Sequence, residues 1–360
     1  MKGILRAAII GTGRIGSTYD DEVPDPKPAT FYRGPRRHNG LYTVLPINHA
    51  ASYSSLPEYR LMAGANRGEA KLRAFGERYG VRALYTDFRA MLREEQPDVV
   101  SVCTQSPEKA EITVEAAQSG VRAIVVEKAM ATSMAEADAM VRACEENGVL
   151  LAVNHPNRFS LANREVCRRI AEGEIGEVGT VMAQWASGML HGGTHSFDLV
   201  RFLAGDVAEI EARVPDYEPG KDLPAEGMMW FVSGAAGFFS NLHGLQPGLE
   251  VRGKRGHLML STMVGDGWHH RVRPFFEEGE RRYPHQVEVE PIDVEPDELS
   301  PTQRLLREVH AAVTEGAPLV SSGRDGAAAL ELGLACFVSH LAGGAVGLPL
   351  ADRDFRVPNR

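Results

Sequence analysis

Residues 5–16, LRAAIIGTGRIG, constrain the fold of this chain more than any other stretch. An apolar run ends in three glycines spaced G-x-G-x-x-G, at 11, 13 and 16. One glycine suits a tight turn, one lets a pyrophosphate approach the backbone, and one lets helix and strand pack, with helix N-terminal amides facing the phosphates. The spacing alone is weak. It gains weight only from a strand before it and a βα alternation after it.

That alternation is present. Short apolar runs at 5–10, 59–65, 83–86, 98–104, 121–127 and 149–154 read as strands, with helical periodicity between them. Phe88, Met91 and Leu92 share one stripe, and Ser133 with Glu136 reads as a capping box for a helix that closes on Gly148. The pattern predicts a doubly wound parallel sheet over residues 1–153. Residues 154–360 read differently: helices near 161–172 and 195–204 flank a strand at 177–186, and strand-like MMWFVSG, AGFFSNL and LEVRGKRGHLMLS follow, the last a hairpin turning at GKRG. Consecutive strands on short turns predict a second α/β domain with an open, mostly antiparallel sheet, closed by helices at 302–315 and 325–342. A length of 360 residues accommodates both domains.

One stretch breaks the scheme. Residues 18–47 carry prolines at 24, 26, 28, 35 and 46 and cannot be helical, so they read as an insertion in the first crossover before a helix at 48–55. Leaving from the glycine turn, the insertion is expected to cover the adjoining cleft, offering Tyr19, Phe31, Tyr32, Arg33, Arg36 or Arg37 to a ligand or a neighbouring subunit; the alternative is a solvent loop.

Bulk properties narrow the partners. A formal net charge of −9 argues against nucleic acid, and no stretch reads as the ~20 apolar residues of a bilayer span. Cysteines 103, 144, 167 and 336 match no zinc or redox spacing, which points to reduced thiols and a cytoplasmic location.

Three places carry chemistry. Where an acid would read the cofactor ribose stand Asn66 and Arg67, which remove repulsion of a 2′-phosphate and supply a cation; the cofactor is NAD or NADP, leaning to NADP. Strand 121–127 ends in Glu127-Lys128, at the edge where open α/β sheets hold ligands. A desolvated lysine there has a depressed pKa and can move a proton or hold a substrate oxygen, unless it merely pairs with Glu127. His191 and His195 flank two glycines before an apolar helix; proton transfer suits them better than metal, for which no third ligand is built in, and a capping or core role is the alternative.

These stretches, in this order, resemble the Gfo/Idh/MocA family (glucose-fructose oxidoreductase, inositol dehydrogenase, rhizopine catabolism) of NAD(P)-dependent oxidoreductases. IIGTGRIG is similar to its fingerprint, DVVSVCTQSPEKAEITVEAAQSGVRAIVVEKAM to its fourth and fifth strand units, NRFSLANREVCRRIAEGEIGEVGTV to its linker helix, HGGTHSFDLVRFLAGD to its Asp-x-Gly-x-His-x-x-Asp segment and ACFVSHLAGGAVGLPL to its closing helix. The resemblance implies a Rossmann domain followed by a mostly antiparallel α/β domain, and interconversion of a secondary alcohol and a ketone on a sugar, cyclitol or sugar derivative. It implies catalytic Lys128, His195 and His191, and cofactor contacts from Gly11, Thr12, Gly13, Arg14, Ile15, Gly16, Asn66, Arg67, Thr104, Gln105, Glu127 and Lys128. Substrate contacts would come from Lys128, Asn157, Arg158, His191, Thr194 and His195, and subunits would pair as a homodimer or homotetramer through the second sheet.

The chain also departs from the family. Ala129 replaces the proline of the family's Glu-Lys-Pro, His191 replaces an aspartate, Thr104-Gln105-Ser106-Pro107-Glu108-Lys109 stands for Thr-Pro-Asn-x-x-His, and the segment before HGGTH is short. Two other readings stay open. One is a nucleotide-binding sensor without turnover, of which the missing proline at 129 and aspartate at 191 would be traces; the other is a redox-neutral sugar-modifying enzyme with tightly held NAD.

Overall fold

The computed structural model describes residues 3–22, 45–241, 248–261, 267–273, 286–292 and 299–358. Its first sheet contains β1 (Leu5–Ile10), β2 (Tyr59–Ala65), β3 (Ala83–Tyr85), β4 (Val99–Val102), β5 (Ala123–Glu127) and β6 (Leu150–Asn154). All pairs are parallel, in the order β3-β2-β1-β4-β5-β6. The order reverses between β1 and β4, so a crevice opens over their carboxyl ends. Every residue of β4 and β5 is buried, as expected of a sheet covered on both faces.

The crossovers are α1 (His49–Ser55), α2 (Glu69–Tyr79), α3 (Phe88–Glu95), α4 (Ser106–Ala117) and α5 (Met134–Glu146). The capping box expected at α5 is only half formed. Ser133 accepts from the Glu136 amide, but the Glu136 carboxylate turns to the Thr132 amide and hydroxyl, at 2.9 and 2.7 Å. The glycine turn leads not into a full helix but into a π-helical turn, Arg14–Thr18, and a 3-10 turn, Tyr19–Glu22. Residues 23–44, with Phe31, Tyr32, Arg33, Arg36 and Arg37, lie outside the described residues, and the cover expected of them with it. The base of the insertion is described: the Asp20 carboxylate accepts from the amides of Ile47 and Asn48, both at 2.9 Å.

After α6 (Leu161–Ala171) comes the second sheet: β7 (Val178–Gln184), then α7 (Thr194–Ala204), β8 (Val207–Arg213), β9 (Glu226–Phe231), β10 (Ala236–Ser240), β11 (Gly248–Gly253), β12 (Gly256–Ser261), β13 (Gly267–Arg273) and β14 (Gln286–Ile292). The chain ends with α8 (Pro301–Glu315), α9 (Gly323–Ala342) and β15 (Val346–Gly347). Its order is β14-β13-β12-β11-β7-β10-β9-β8-β15, antiparallel except for β7–β10. Lys254 and Arg255 make the expected β11–β12 turn.

Two C-terminal helices knit the molecule together. Leu305, Leu306 and Val309 of α8 join the cluster of Leu5, Ala7, Ile9, Tyr53 and Val125 beneath the first sheet, and the Tyr59 hydroxyl donates to the Leu306 carbonyl at 2.6 Å. In α9, Gly323 and Gly326 allow close approach to β6; a Cβ on Gly326 would lie 2.3 Å from Val153. Among the described residues α9 alone passes for a membrane span by length and composition, though it carries Arg324, Asp325 and Glu331. Its Leu330, Leu332, Leu334 and Phe337 are wholly buried in the protein core.

Candidate active site

The site is built at the carboxyl ends of β1, β2, β4 and β5. Gly11 has φ +97°, and a Cβ there would lie 2.8 Å from the Cys103 carbonyl carbon. A Cβ at Gly16 would come within 2.1 Å of the Gly11 carbonyl oxygen. At Gly13 the same position is open space, so the turn packs tightly on β4 and leaves room above its middle glycine. The Ser17 hydroxyl ties the turn down by donating to the Thr12 carbonyl at 2.9 Å.

These strand ends line one cleft of about 1140 Å³. It gathers Gly11, Gly13, Arg14, Ile15, Asn66, Arg67, Thr104, Gln105, Glu127, Lys128, Asn157, His191 and His195 from the sequence-predicted set. Thr12, Gly16, Arg158 and Thr194 are not in its lining. Arg158 is buried and spent on Asp198 at 2.8 Å, Asp325 at 3.2 Å and the Val320 carbonyl at 2.7 Å; the Thr194 hydroxyl donates to the Leu190 carbonyl at 2.9 Å. Both side chains hold the fold around the cleft and do not face into it.

Buried polar atoms are normally paired. Here Thr104 Oγ1, Asn154 Oδ1, Asn157 Oδ1, Trp185 Nε1 and His195 Nδ1, all on cleft-lining residues, have no hydrogen-bond partner. With the open space over Gly13, these orphaned groups fit a polar ligand the size of a dinucleotide. At the β2 end the Asn66 amide donates back to the Gly68 carbonyl at 3.0 Å, and the exposed Arg67 guanidinium pairs with Glu108.

Lys128 does not pair with its neighbour. Glu127 Oε1 is taken by His49 Nε2 at 2.9 Å and Asn154 Nδ2 at 2.7 Å, while His49 Nδ1 meets Ser101 Oγ at 2.9 Å. Burial would push the His49 pKa down, but Cys103 and Glu127 raise it to about 10. Burial would likewise raise that of Glu127; the bond from His49 and nearby charges more than reverse this and keep it an anion. Lys128 Nζ instead crosses the cleft and donates to the His191 carbonyl at 2.6 Å. Burial depresses the pKa of this amine, with Glu127 and Asp222 opposing. The Lys128–Ala129 peptide is cis.

The histidines sit on consecutive turns, His191 in the π-helical turn Met189–Gly193 and His195 in the first turn of α7. Asp222 fixes the first of these: its carboxylate accepts from the amides of Leu190 and His191, both at 2.8 Å, packed where a Cβ on Gly188 would collide with it. Burial, then Lys128, His155 and His191, hold the His195 pKa well below its ordinary value. The imidazole is therefore neutral at pH 7 and able to accept a proton, with an amine close by to steady an oxygen. The His155 ring meets it edge-on, centroids 5.9 Å apart. Among the described residues no cluster of three or more His, Cys, Asp or Glu could hold a metal ion.

His49, Asp222 and Lys109 touch this site or its supports, and the sequence assigns none of them a role there. Their partners lie far along the chain, so no local spacing signals them; His49 shows only as part of the helix start NHAASYSS, and Lys109 only where the family motif has a histidine.

With this geometry in view, comparison with known proteins is specific. Residues 5–155 match the oxidoreductase family model with an NAD-binding Rossmann fold, and residues 180–348 match the C-terminal alpha/beta domain of the same family. A D-apiose dehydrogenase from Paraburkholderia graminis is 34% identical over 49% of this chain and 52% of its own length. A 1,5-anhydro-D-fructose reductase from Ensifer adhaerens is 26% identical over 79% of this chain and 89% of its own. The chain thus spans about half the length of the first of these relatives. An oxidoreductase from Agrobacterium radiobacter, solved in complex with NAD+, L-tartaric acid and magnesium, shares the fold with a TM-score of 0.73 at 19% identity, over 95% of this chain and 98% of its own.

Proposed function

From the Gfo/Idh/MocA oxidoreductase family, to which this chain belongs, we propose that it catalyses NAD(P)-dependent interconversion of a secondary alcohol and a ketone on a sugar, cyclitol or sugar derivative. The observation that carries this reading is the meeting, in one cleft, of the glycine turn, the Lys128 amine and a neutral His195. The cofactor would rest on the turn at residues 11–16, and its nicotinamide ring supplies the hydride acceptor. His195 takes the hydroxyl proton as the carbinol becomes a carbonyl. Lys128 donates a hydrogen bond to that oxygen, and Asn157 and His191 orient the substrate. Holding these groups in near-attack geometry is the main contribution of the fold.

Lys128→Met tests the assignment. Turnover should fall at least 100-fold with the dissociation constant for reduced cofactor unchanged, in line with the usual ~10²–10⁴ for positioned acid–base groups. Near-normal turnover refutes it.

Asn66 in place of an acid at the end of β2, together with Arg67 and nearby Lys71 in the cleft lining, supports acceptance of NADP. Arg67→Ala should weaken NADPH about tenfold and leave NADH within threefold, measured by fluorescence titration. Subunits would pair through the open face of the second sheet, where Met182 on β7, Phe238 on the adjoining β10 and Met259 on β12 remain 37%, 42% and 37% exposed.

A further inference from the structure

Lys109 is a lysine that stability arguments would remove. It is 2% exposed and forms no ion pair among the described residues. It sits in the first turn of α4, where the helix dipole disfavours a cation. Its Nζ donates to the Ala129 carbonyl at 2.8 Å and the Lys128 carbonyl at 3.2 Å, with Ser106 Oγ at 3.5 Å; Ser106 Oγ itself donates to the Ala129 carbonyl at 3.0 Å. Lys109 also lines the cleft, on the side from which Lys128 reaches across to His191. A buried amine kept against burial, dipole and a neighbouring ammonium points to a role other than stability.

We infer that Lys109 is a positioning residue: it draws the carbonyls of Lys128 and Ala129 to the start of α4, and so fixes the peptide from which the Lys128 side chain crosses the cleft. The inference rests on the role given to Lys128 above. The groups facing the Lys109 amine are Glu127 and Lys128 from the end of β5 and Cys103 from the end of β4. Burial pushes its pKa down to about 7, with Glu127 opposing and Lys128 adding. On losing its proton the amine keeps two donors for these acceptors, and the clamp slackens.

The test compares Lys109→Met, Lys109→Gln and Lys128→Met. In Lys109→Met, kcat at pH 7 should fall at least tenfold, the NADH dissociation constant should stay within threefold, and Tm should hold or rise because the buried amine is gone. The wild-type kcat profile should show an inflection near pH 7 that vanishes in both Lys109 variants, while Lys109→Gln, which still donates, should recover part of kcat. A crystal structure of Lys109→Met should show Lys128 Nζ displaced from the His191 carbonyl. Lys128 unmoved in that structure, or kcat within twofold with the inflection intact, overturns the inference. Full turnover by Lys128→Met would instead sink the catalytic assignment, and displacement of Lys128 in the Lys109→Met structure would still decide the positioning role.

Discussion

Glu127 stays ionised in a buried site because His49 and Asn154 donate to the same oxygen, which frees Lys128 to reach His191. Removing one partner of a buried pair leaves an uncompensated charge, so His49→Leu should cost about 3–5 kcal/mol. The sign of its pH dependence follows from the direction of the shift. The His49 pKa is raised from 6.5 to about 10, so its contribution is complete below pH 6.5 and fades as pH climbs through about 10. Urea unfolding of wild type and variant should therefore differ more at pH 6 than at pH 10; an equal gap contradicts the charged pair. Asp222 makes a second case. Asp222→Ala frees two amides of the His191 turn and should lower kcat while leaving NADH binding intact, as steady-state kinetics with cofactor titration would show. At this scale the sequence was legible where chemistry is local. Lys128 and His195 stand out at element ends, whereas His49, Asp222 and Lys109 acquire meaning only from partners brought near by the fold. Arg158 and Thr194 are the converse case: they neighbour site residues in sequence, but their side chains are spent on internal bonds.

Elements were read with less loss, because hydrophobic period and turn chemistry act over a few residues. The strands of the first sheet were found nearly whole, and 98–104 and 121–127 shrink to β4 and β5 because their ends turn into loops or lie outside the ladder. What no period could show is which sheet a helix joins. α8 follows the second sheet in sequence and packs beneath the first. The approach of α9 to β6 likewise rests on missing side chains, and Gly326→Ala would press a methyl against Val153. That substitution should destabilise by about 1–3 kcal/mol, read as a lower urea midpoint at constant m-value, and a neutral result would mean that α9 and β6 adjust freely.

At the scale of the molecule, the second sheet buries one face on α7 and α9 and leaves an apolar row outside. Phe238 pairs with Met182 on β7 and Met228 on β9 in a continuous cross-strand line. Pairing of two copies on this face would remove the row from water, and Phe238→Glu would set like charges against each other. Sedimentation should find wild type as a dimer or tetramer and the variant shifted to monomer with Tm little changed. A wild-type monomer at micromolar concentration contradicts the pairing.

The position of the cofactor decides whether Lys128 and His195 can act on the reacting carbon. A crystal structure with bound NADH should show the pyrophosphate against the amides of residues 13–15 and the nicotinamide ring in contact range of both Lys128 Nζ and the His195 imidazole. A ring lying outside the cleft, or on the opposite side of the sheet from either side chain, would contradict it.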